Sequence, residues 1–443
     1  MTLTGCGPVH TEYVRPPLDL PTTPVVLTID RQWWASFGDP VLDQLVAEAL
    51  ANNLDLAKAA ANVQEARANV DGARALFSPR LDGNASAGAS QRALTIAVRD
   101  TDINKTTATG KAGLGLSWEA DLWGRIQDIN NAALARLSAT EHTQNAVQLS
   151  VSTTVADAYF QLRGFDAKLS ITRSAVKSQE ASTRLEFRRW KAGVGTELAY
   201  QQSLAALTSF QTNVPVIESG LRQTELALQM LVGRSPRTMI DGIARSSDPR
   251  VPEPLREVDS ELLLRRPDVA SAEQYLVAAN ADVNRARTEL YPRLGISLIG
   301  GLIATSAAWI SGVPMFWDAS LGMTGNIFDG GLLQSNVDAA EARRQRALAH
   351  YTYTVSLAFR ETYDALVLID TSDRQVKYAD DEVRTRLRSL ELNQKSYDAG
   401  RTAQFEVLAE TSRVLNAQLS LANARYKQLV ARSQYFKALG GGY

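Results

Sequence analysis

Hydrophobic positions along the chain follow two periods, and the change between them marks the main elements. From Leu81 onward small apolar residues alternate with polar ones, and after a polar stretch at residues 99–104 the alternation continues to Leu122. A period of two indicates a strand with one apolar face, so we expect a hairpin of two strands of about 18 residues each. The pattern before the hairpin is helical over residues 41–77, and Pro79 ends it.

A very long helix is predicted after the hairpin. Residues 124–190 contain no proline and would form one helix of 67 residues, roughly 100 Å long. Apolar residues recur in it every seven positions, which is the period of a coiled coil. A turn at residues 192–195 leads to a returning helix that ends near Leu231, and we expect Pro215 to kink that helix.

The whole plan then occurs a second time. Residues 55–81 align with residues 268–294 without a gap, and 11 of the 27 positions are identical. A second alternating hairpin has its tip at residues 306–314, and a second helix of 67 residues runs over 331–397 before another glycine-containing turn and a last helix. An internal repeat of this kind indicates a duplicated architecture.

These patterns divide the chain into two repeats with an arm, a linker and a tail. The segments are an N-terminal arm at 1–40; a helix, a β-hairpin and a long helical hairpin at 41–80, 81–122 and 123–232; a linker at 233–259; the second helix, β-hairpin and helical hairpin at 260–292, 293–330 and 331–439; and a tail at 440–443. The arm is rich in proline, so we expect it to be extended.

The four strands raise a physical problem that a single chain does not solve. Four strands cannot close a barrel, and unpaired strand edges are not tolerated in lipid. The predicted strands exceed the roughly 9–11 residues that cross a bilayer, and one face is apolar as in an outer-membrane barrel wall. Two copies would supply eight strands and three copies twelve. A seven-residue period alone is typical of ordinary helix bundles, and alternating strands alone are typical of soluble β-sandwiches. The prediction of a shared membrane barrel therefore depends on finding both patterns in one chain.

Composition excludes several classes of function. The 47 basic and 48 acidic side chains give a net charge of -1, which offers no basic surface for nucleic acid. The three histidines, His10, His142 and His350, are far apart in sequence, so we expect no metal site. No nucleophile–base set or phosphate-binding loop is found either, and we expect neither an enzyme nor a bound cofactor.

The single cysteine suggests a lipid anchor. Cys6 ends the run Leu3-Thr4-Gly5-Cys6, which matches the lipobox in which bacterial lipoproteins are cleaved and acylated. Only five residues precede Cys6, fewer than a secretory signal needs, so we expect the start to lie upstream or the chain to be trimmed. The alternative is a cysteine without a role in a loose N-terminus.

Several motifs resemble those of the TolC-type outer-membrane efflux factors, in the lipoprotein branch that works with resistance-nodulation-division (RND) pumps. The resemblance spans nearly the whole chain. Its motifs are Trp33-Trp34 with Asp39-Pro40, Asp121-Leu122-Trp123-Gly124-Arg125, Leu231-Val232-Gly233, Arg265-Arg266-Pro267-Asp268-Val269, Phe328-Asp329-Gly330-Gly331 and Ala438-Leu439-Gly440-Gly441-Gly442.

The resemblance implies a mainly α-helical fold with membrane strands. Three identical chains would form a twelve-stranded β-barrel in the outer membrane, continued by a twelve-helix coiled-coil barrel in the periplasm. The implied function is that of a passive exit duct through which small molecules are exported from the periplasm of a Gram-negative bacterium. The implied partners are outer-membrane lipid, a periplasmic adaptor (membrane fusion) protein and an inner-membrane RND transporter.

The resemblance also implies a periplasmic gate near the second helix turn. Its tyrosine, arginine and acidic positions fall on Tyr397, Arg401 and Glu406, with Glu410 one turn further along. Glu406 and Glu410 are four residues apart and share a helix face, so three copies would make acidic rings of the kind that favour cations. The family's second acidic position falls on Ala409, and the alternative is that these are solvated helix residues.

The first turn departs from the family pattern. Where the family often has an aspartate, this chain has Ala199, and Glu197, two residues earlier, is the candidate gate residue at this turn. Gly193 and Gly400 occupy the two turns, and we expect them to adopt a positive φ because the chain reverses there.

Two alternative functions share part of this pattern. A type I exit duct for secreted proteins would have the same fold, but the lipobox and the Gly-Gly-Gly end favour the RND branch. A periplasmic coiled-coil adaptor without a pore would lack two long alternating hairpins.

Overall fold

The computed structural model describes residues 10–17, 30–96, 101–235, 249–254, 263–305 and 314–442. The chain divides into two compact units. The first contains Met1–Pro17, Asn62–Thr140 and Ser271–Tyr351, and the second contains Leu18–Ala61, Glu141–Ala270 and Thr352–Tyr443. Cys6 and most of the predicted linker at 233–259 lie outside the described residues.

Helices and strands follow one another in the duplicated order expected from the sequence. The helices are α1 (Pro40–Asn52), α2 (Leu54–Ala75), α3 (Arg125–Lys191), α4 (Glu197–Leu231), α5 (Pro267–Thr288), α6 (Leu332–Asp398) and α7 (Gln404–Ala438), and the strands are β1 (Arg80–Ile96), β2 (Thr101–Ala120), β3 (Arg293–Thr305) and β4 (Met315–Thr324). Within the described parts of the chain, no helix has a stretch long and apolar enough to span a membrane.

The two long helices, α3 and α6, are confirmed at 67 residues each, within one residue of the predicted ends. Each is preceded by an aspartate whose carboxylate accepts backbone N–H groups at the start of the helix. Asp121 accepts from Ile126 and Gln127 at 3.0 and 2.8 Å, and Asp329 accepts from Gly331 and Leu333 at 2.9 Å each. These bonds use donors that a helix start leaves unpaired, and those from Leu333 and Gly331 hold the pKa of Asp329 below its ordinary value.

The single helix predicted over residues 41–77 is wrong, because the chain forms α1 and α2 with a break at Asn53. The Asn53 side chain explains the break. Its Oδ1 accepts from the backbone N–H groups of Asp55 and Leu56 at 2.8 and 3.2 Å, and its Nδ2 donates to the Leu231 carbonyl at 2.8 Å. Asn53 therefore caps α2 and ties it to the end of α4.

The fully extended arm predicted for residues 1–40 is also corrected. Trp33–Phe37 form a short 3₁₀ turn, and Trp33 and Phe37 are buried in the main core of the second unit. Trp33 stacks on Phe436 with 5.4 Å between the ring centroids, and Phe37 packs against Phe160 at 4.8 Å. Large apolar surfaces of this kind stabilise the folded state by about 2–3 kcal/mol for each aromatic side chain.

The coiled-coil period identifies buried seam positions on all four long helices. Val155, Leu162 and Leu228 are fully buried, and most of the matching positions on α6 and α7 are buried as well. The other positions of the series are partly buried, except Leu348, which is 38% exposed.

The strands form one antiparallel sheet in the order β1-β2-β3-β4. The predicted lengths agree with β1 and β2 at 17 and 20 residues. The described parts of β3 and β4 have 13 and 10 residues, and the second tip at 306–313 lies outside the described residues.

The register places apolar side chains in rows across one face of the sheet. One row contains Leu81, Leu116, Leu298 and Ala319, and another contains Trp118, Ile296 and Leu321. The other face carries small and polar rows, such as Arg80, Ser117, Ser297 and Ser320. Leu81, Leu321 and Trp317 are 64%, 69% and 79% exposed, so in the single chain the apolar face lacks a covering layer.

Two facing glycines allow β2 and β3 to approach closely. Gly113 lies opposite Gly301, and a Cβ on Gly301 would lie 2.3 Å from the Ala112 carbonyl oxygen and 2.6 Å from the Gly113 Cα. A side chain at this position therefore has to push the two backbones apart.

We expect Gly301→Val to weaken the pairing of β2 with β3, with a loss of about 3 kcal/mol in stability from overpacking. The measurement is the thermal unfolding midpoint followed by strand circular dichroism. Gly295→Val is the matched control, because Gly295 lies on the same face of β3 and its Cβ would meet its nearest atom at 4.0 Å. Equal losses in both variants would contradict the close-approach explanation.

A buried carboxylate in the second unit makes stability depend on pH. Asp157 accepts a hydrogen bond from Gln434, while its buried Oδ1 has no hydrogen-bond partner among the described residues. Burial raises the pKa of Asp157 to about 6. The folded chain therefore holds this proton more tightly than the unfolded chain, where the pKa of an aspartate is about 3.9, and the resulting stability is lost as the pH rises from about 4 through 6.

We expect Asp157→Asn to raise the unfolding midpoint at about pH 7.5, because the variant has no charge to bury. A raised pKa of this size limits the gain to about 3 kcal/mol. Near pH 4.5, where the native carboxyl is already protonated, the difference between the two proteins should be much smaller. A difference that is the same at both pH values would show that Asp157 is not the titrating group.

Candidate functional site

The turns that follow the two long helices have the same backbone geometry. Gly193 and Gly400 adopt φ values of +73° and +69°, as predicted. The amides of Gly193 and Val194 donate to the carbonyls of Trp190 and Arg189 at 3.0 Å each, and those of Gly400 and Arg401 donate to Tyr397 and Ser396 at 2.8 and 2.9 Å. The glycines are needed for their conformation rather than for space, since no atom would lie within 4 Å of an added Cβ.

Tyr397, one of the predicted gate residues, joins the two long helices. Its hydroxyl accepts a hydrogen bond from Arg189 Nη1 at 2.5 Å and donates to Glu186 Oε1 at 3.3 Å. The same guanidinium lies 3.3 Å from Glu186 and stacks over the Tyr397 ring at 5.6 Å. We call Glu186, Arg189 and Tyr397 the turn cluster; it connects α3 of the first repeat to α6 of the second.

Electrostatics keep the turn cluster intact near neutral pH. Glu186 is buried, with 4% of its surface exposed. Burial and the neighbouring Glu186 carboxylate raise the pKa of Tyr397, so the hydroxyl keeps its proton and can act as a donor and an acceptor at once. Arg189 supplies the compensating positive charge that a buried carboxylate requires.

Sequence reasoning did not identify Glu186 and Arg189. They lie three residues apart near the end of α3 and match no motif of the resemblance. The seven-residue period locates the seam between helices of one hairpin, but the turn cluster joins two different hairpins. The only available signal is positional, since Trp190 occupies in the first repeat the place that Tyr397 has in the second.

The structure separates the two carboxylates that were expected to act together. Glu406 is exposed in the first turn of α7. Glu410 is 2% exposed and has arginines on both helices of its hairpin, with Arg386 Nη1 at 3.5 Å and Arg413 Nη1 at 3.0 Å. The expectation that both glutamates form exposed acidic rings is therefore corrected for Glu410, because that side chain packs into the α6–α7 seam.

The first repeat has a neutral cluster at the position of this ion pair. Gln179 and Ser203 match Arg386 and Glu410 in the duplicated plan. Gln179 Nε2 donates to Ser203 Oγ at 2.9 Å, and the Thr183 hydroxyl lies 2.9 Å from the same oxygen. The two hairpins therefore have a buried polar layer at the same height with different chemistry.

The first turn has a different lining of side chains. Trp190 and Tyr200 stack with 5.4 Å between the centroids and 11° between the planes, and Lys191 Nζ lies 4.1 Å above the Trp190 ring. Glu197 is exposed in the first turn of α4, after the cap Thr196. An acidic residue at this place is favoured by the helix dipole, which is a structural explanation for Glu197.

The remaining predicted residues do not join this site. Arg401 is exposed and takes no part in the turn cluster, and Cys6 lies outside the described residues. His10 contacts Asp128 in the first unit. Among the residues that the structure describes, no group of three or more His, Cys, Asp or Glu side chains is arranged to hold a metal.

Comparisons with known proteins identify the family. The model of the outer membrane efflux protein family matches residues 45–234 and 258–441. The chain is 34% identical over 422 residues to the pyoverdine export outer membrane protein OpmQ of Pseudomonas aeruginosa, covering 93% of this chain and 88% of that protein. It is 30% identical to the probable outer membrane lipoprotein SilC of Salmonella typhimurium over 456 aligned positions, covering 100% and 96%.

A solved structure supports the fold. The Campylobacter jejuni CmeC outer membrane channel superposes with a TM-score of 0.89 over 99% of this chain and 95% of that one, at 24% identity. The chain belongs to the outer membrane efflux protein family, and it is an exit duct for efflux in the outer membrane.

Proposed function

We propose that three copies of this chain form the passive outer-membrane duct of a tripartite RND-type pump that exports small molecules. The observation that carries this proposal is the four-stranded sheet, in which β1 and β4 each pair on one side only among the described strands. A backbone edge facing lipid leaves N–H and C=O groups unpaired, at a cost of several kcal/mol for each group. Pairing β4 of one copy with β1 of the next removes both edges.

The exposed apolar rows support the same assembly. They cover one face of all four strands, and they include exposed Leu114, Trp317 and Leu321. In water this face would be a liability, whereas against lipid it is the expected outer wall of a barrel. The opposite face, with Ser117, Ser297 and Ser320, suits a wet interior.

The turn cluster is proposed as the part of the gate that lies within one chain. Tyr397 holds the two helical hairpins of a chain together through Arg189 and Glu186. Arg401 and Glu406 are exposed, which leaves them available for contacts between copies. Glu410 is proposed to act inside its own hairpin rather than as a ring of charge, and Glu197 to act as a helix-start residue.

The exposed side chains at the turns, together with the family, support a proposal about the partners. Apolar side chains project at the turns, with Val194 and Leu198 78% and 67% exposed and Phe405 57% exposed. We propose that a periplasmic adaptor docks on this surface and links the duct to an inner-membrane RND transporter. A type I protein-secretion duct is the second candidate, and a pore-free adaptor has no support from the family.

We also propose that Cys6 carries a lipid. The Leu3-Thr4-Gly5-Cys6 run is the observation behind this, and the relative SilC is described as a probable lipoprotein. The anchor adds to the membrane attachment that the barrel itself supplies, because the apolar rows bury far more surface than acyl chains do.

The assembly is tested by the mass of the detergent-solubilised protein. We expect a mass of three chains with the strand signal in circular dichroism intact, since the edges of β1 and β4 need partners. Native mass spectrometry gives the stoichiometry directly. A stable monomer with its strands intact would overturn the shared barrel, whereas a trimer that fails to associate with any adaptor would leave the barrel standing and overturn the proposed docking.

The gate is tested by single-channel recording in planar bilayers. Tyr397→Phe removes the hydroxyl that contacts Arg189 and Glu186, at about 1 kcal/mol for each chain and about 3 kcal/mol for a trimer. We expect a higher open probability and conductance.

Tyr378→Phe is the matched control, because Tyr378 lies on the same helix and is 65% exposed. It should conduct like the unmodified protein. If Tyr397→Phe also conducts like the unmodified protein, the turn cluster is not the constriction.

A further inference from the structure

The N-terminal arm lies against a polar stripe on α5 in the first unit. We call residues 10–15 the arm segment. The α5 residues that contact it are spaced 7, 4 and 3 apart, which places them on one helix face. They are Glu273, Asn280, Asn284 and Arg287.

Asn284 pairs with both backbone groups of Thr11. Its Oδ1 accepts from the Thr11 N–H at 3.1 Å and from the Thr11 hydroxyl at 2.9 Å, and its Nδ2 donates to the Thr11 carbonyl at 3.0 Å. Asn280 Nδ2 donates to the same carbonyl at 2.9 Å. A side-chain amide thus takes the place that a neighbouring strand would have, which is a mode by which proteins bind extended peptides.

Glu273 fixes the other end of the arm segment. Arg15 donates to both of its carboxylate oxygens at 2.7 Å, and the Tyr13 hydroxyl donates to Oε1 at 3.2 Å. Glu273 is 9% exposed, so its charge requires these partners. Burial, together with the Glu273 carboxylate, raises the pKa of Tyr13, and the tyrosine remains a donor.

His10 attaches the arm segment to the first repeat. Its Nε2 lies 2.8 Å from the Trp123 carbonyl oxygen, and its Nδ1 lies 3.2 Å from Oδ2 of the buried Asp128. Gly124 leaves room for the ring, since a Cβ there would lie 2.6 Å from His10 Nε2. Both ring nitrogens therefore face acceptor oxygens.

The first repeat offers no equivalent stripe. The α2 residues that match Glu273 and Asn284 in the gapless alignment are Ala60 and Asp71, and Arg67 replaces Asn280. Ala60 cannot bind Arg15, and the carboxylate of Asp71 has no donor for a backbone carbonyl. The two repeats thus differ in the chemistry needed to hold the arm segment.

We propose that α5 is a peptide-docking surface whose ligand is this chain's own arm segment. Thr11, Tyr13 and Arg15 supply the contacts that α5 recognises, and His10 attaches the segment to α3. The docking does not depend on lipidation. Cys6 lies four residues before His10 in the sequence, so a lipid on Cys6, as proposed above, would be connected to the first unit through this surface.

Distances between two spin labels, measured by double electron–electron resonance, test the docking in the full-length trimer. Spin labels are placed at the exposed positions Val14 and Tyr275 with Cys6→Ser, and labelled chains are diluted with unlabelled ones so that distances within one chain are measured. We expect a single narrow distribution. Asn284→Asp with Glu273→Ala, which gives α5 the residues of α2, should abolish the narrow peak.

Two further variants distinguish the contacts with α5 from the attachment of His10 to α3. Asp71→Asn on α2 is the matched control and should leave the narrow peak. His10→Ala should also leave it, because the Thr11 and Arg15 contacts remain. If the double substitution does not yield folded trimer by circular dichroism and mass, Asn284→Asp alone is measured and should broaden the distribution. Survival of the narrow peak in the Asn284 variants, or its loss in Asp71→Asn, would overturn the proposal.

Discussion

The requirement that every backbone group in lipid be paired governs the rest of this molecule. A sheet of four strands has two edges, and the register makes one face a continuous series of apolar rows. The apolar face suits lipid, but the two edges are not stable for one chain in a bilayer, since an edge strand lacks partners and a four-stranded sheet cannot curve round to meet itself. Association of copies is therefore built into the strand count. The chain contains this arrangement twice, and in each repeat the β-hairpin is followed by a helix of 67 residues.

Duplication explains why the two halves share their elements but differ in their polar contacts. The same backbone fold accepts different buried polar side chains, provided that each buried polar atom has a hydrogen-bond partner. At one matched seam position the first repeat uses Gln179 and Ser203, and the second uses Arg386 and Glu410. The neutral pair satisfies itself across the seam at 2.9 Å, while the carboxylate takes its closer contact, at 3.0 Å, from Arg413 on its own helix. The second seam is therefore held less directly across its helices.

The sequence predicts most of the fold because its periods are long and uninterrupted. The proline-free stretches with their seven-residue period predict α3 and α6 within one residue. The break at Asn53 escapes the pattern, because asparagine in an alanine-rich helical stretch is compatible with continuation, and only its bond to the Leu231 carbonyl decides otherwise. The same limit applies at the turns. Tyr397 is identified only through the family resemblance, and its partners Glu186 and Arg189 belong to a different hairpin. Glu410 shares a helix face with Glu406 without sharing its exposure.

The polar contacts at the two ends of α7 differ in their exposure to water. Arg266 is 5% exposed, and its guanidinium donates to Asp268, to Glu361 and to the Ala438 carbonyl at the end of α7. A buried charge with three acceptors is costly to separate, by about 3–5 kcal/mol when one partner is lost. The turn cluster lies at the other end of α7, roughly 50 Å along the helix, and Arg189 in it is 42% exposed on its side chain. Water therefore reaches the Arg189 guanidinium, whereas the Glu186 carboxylate that it neutralises is buried. The contacts at the start of α7 are thus more accessible to water than the Arg266 contacts at its end.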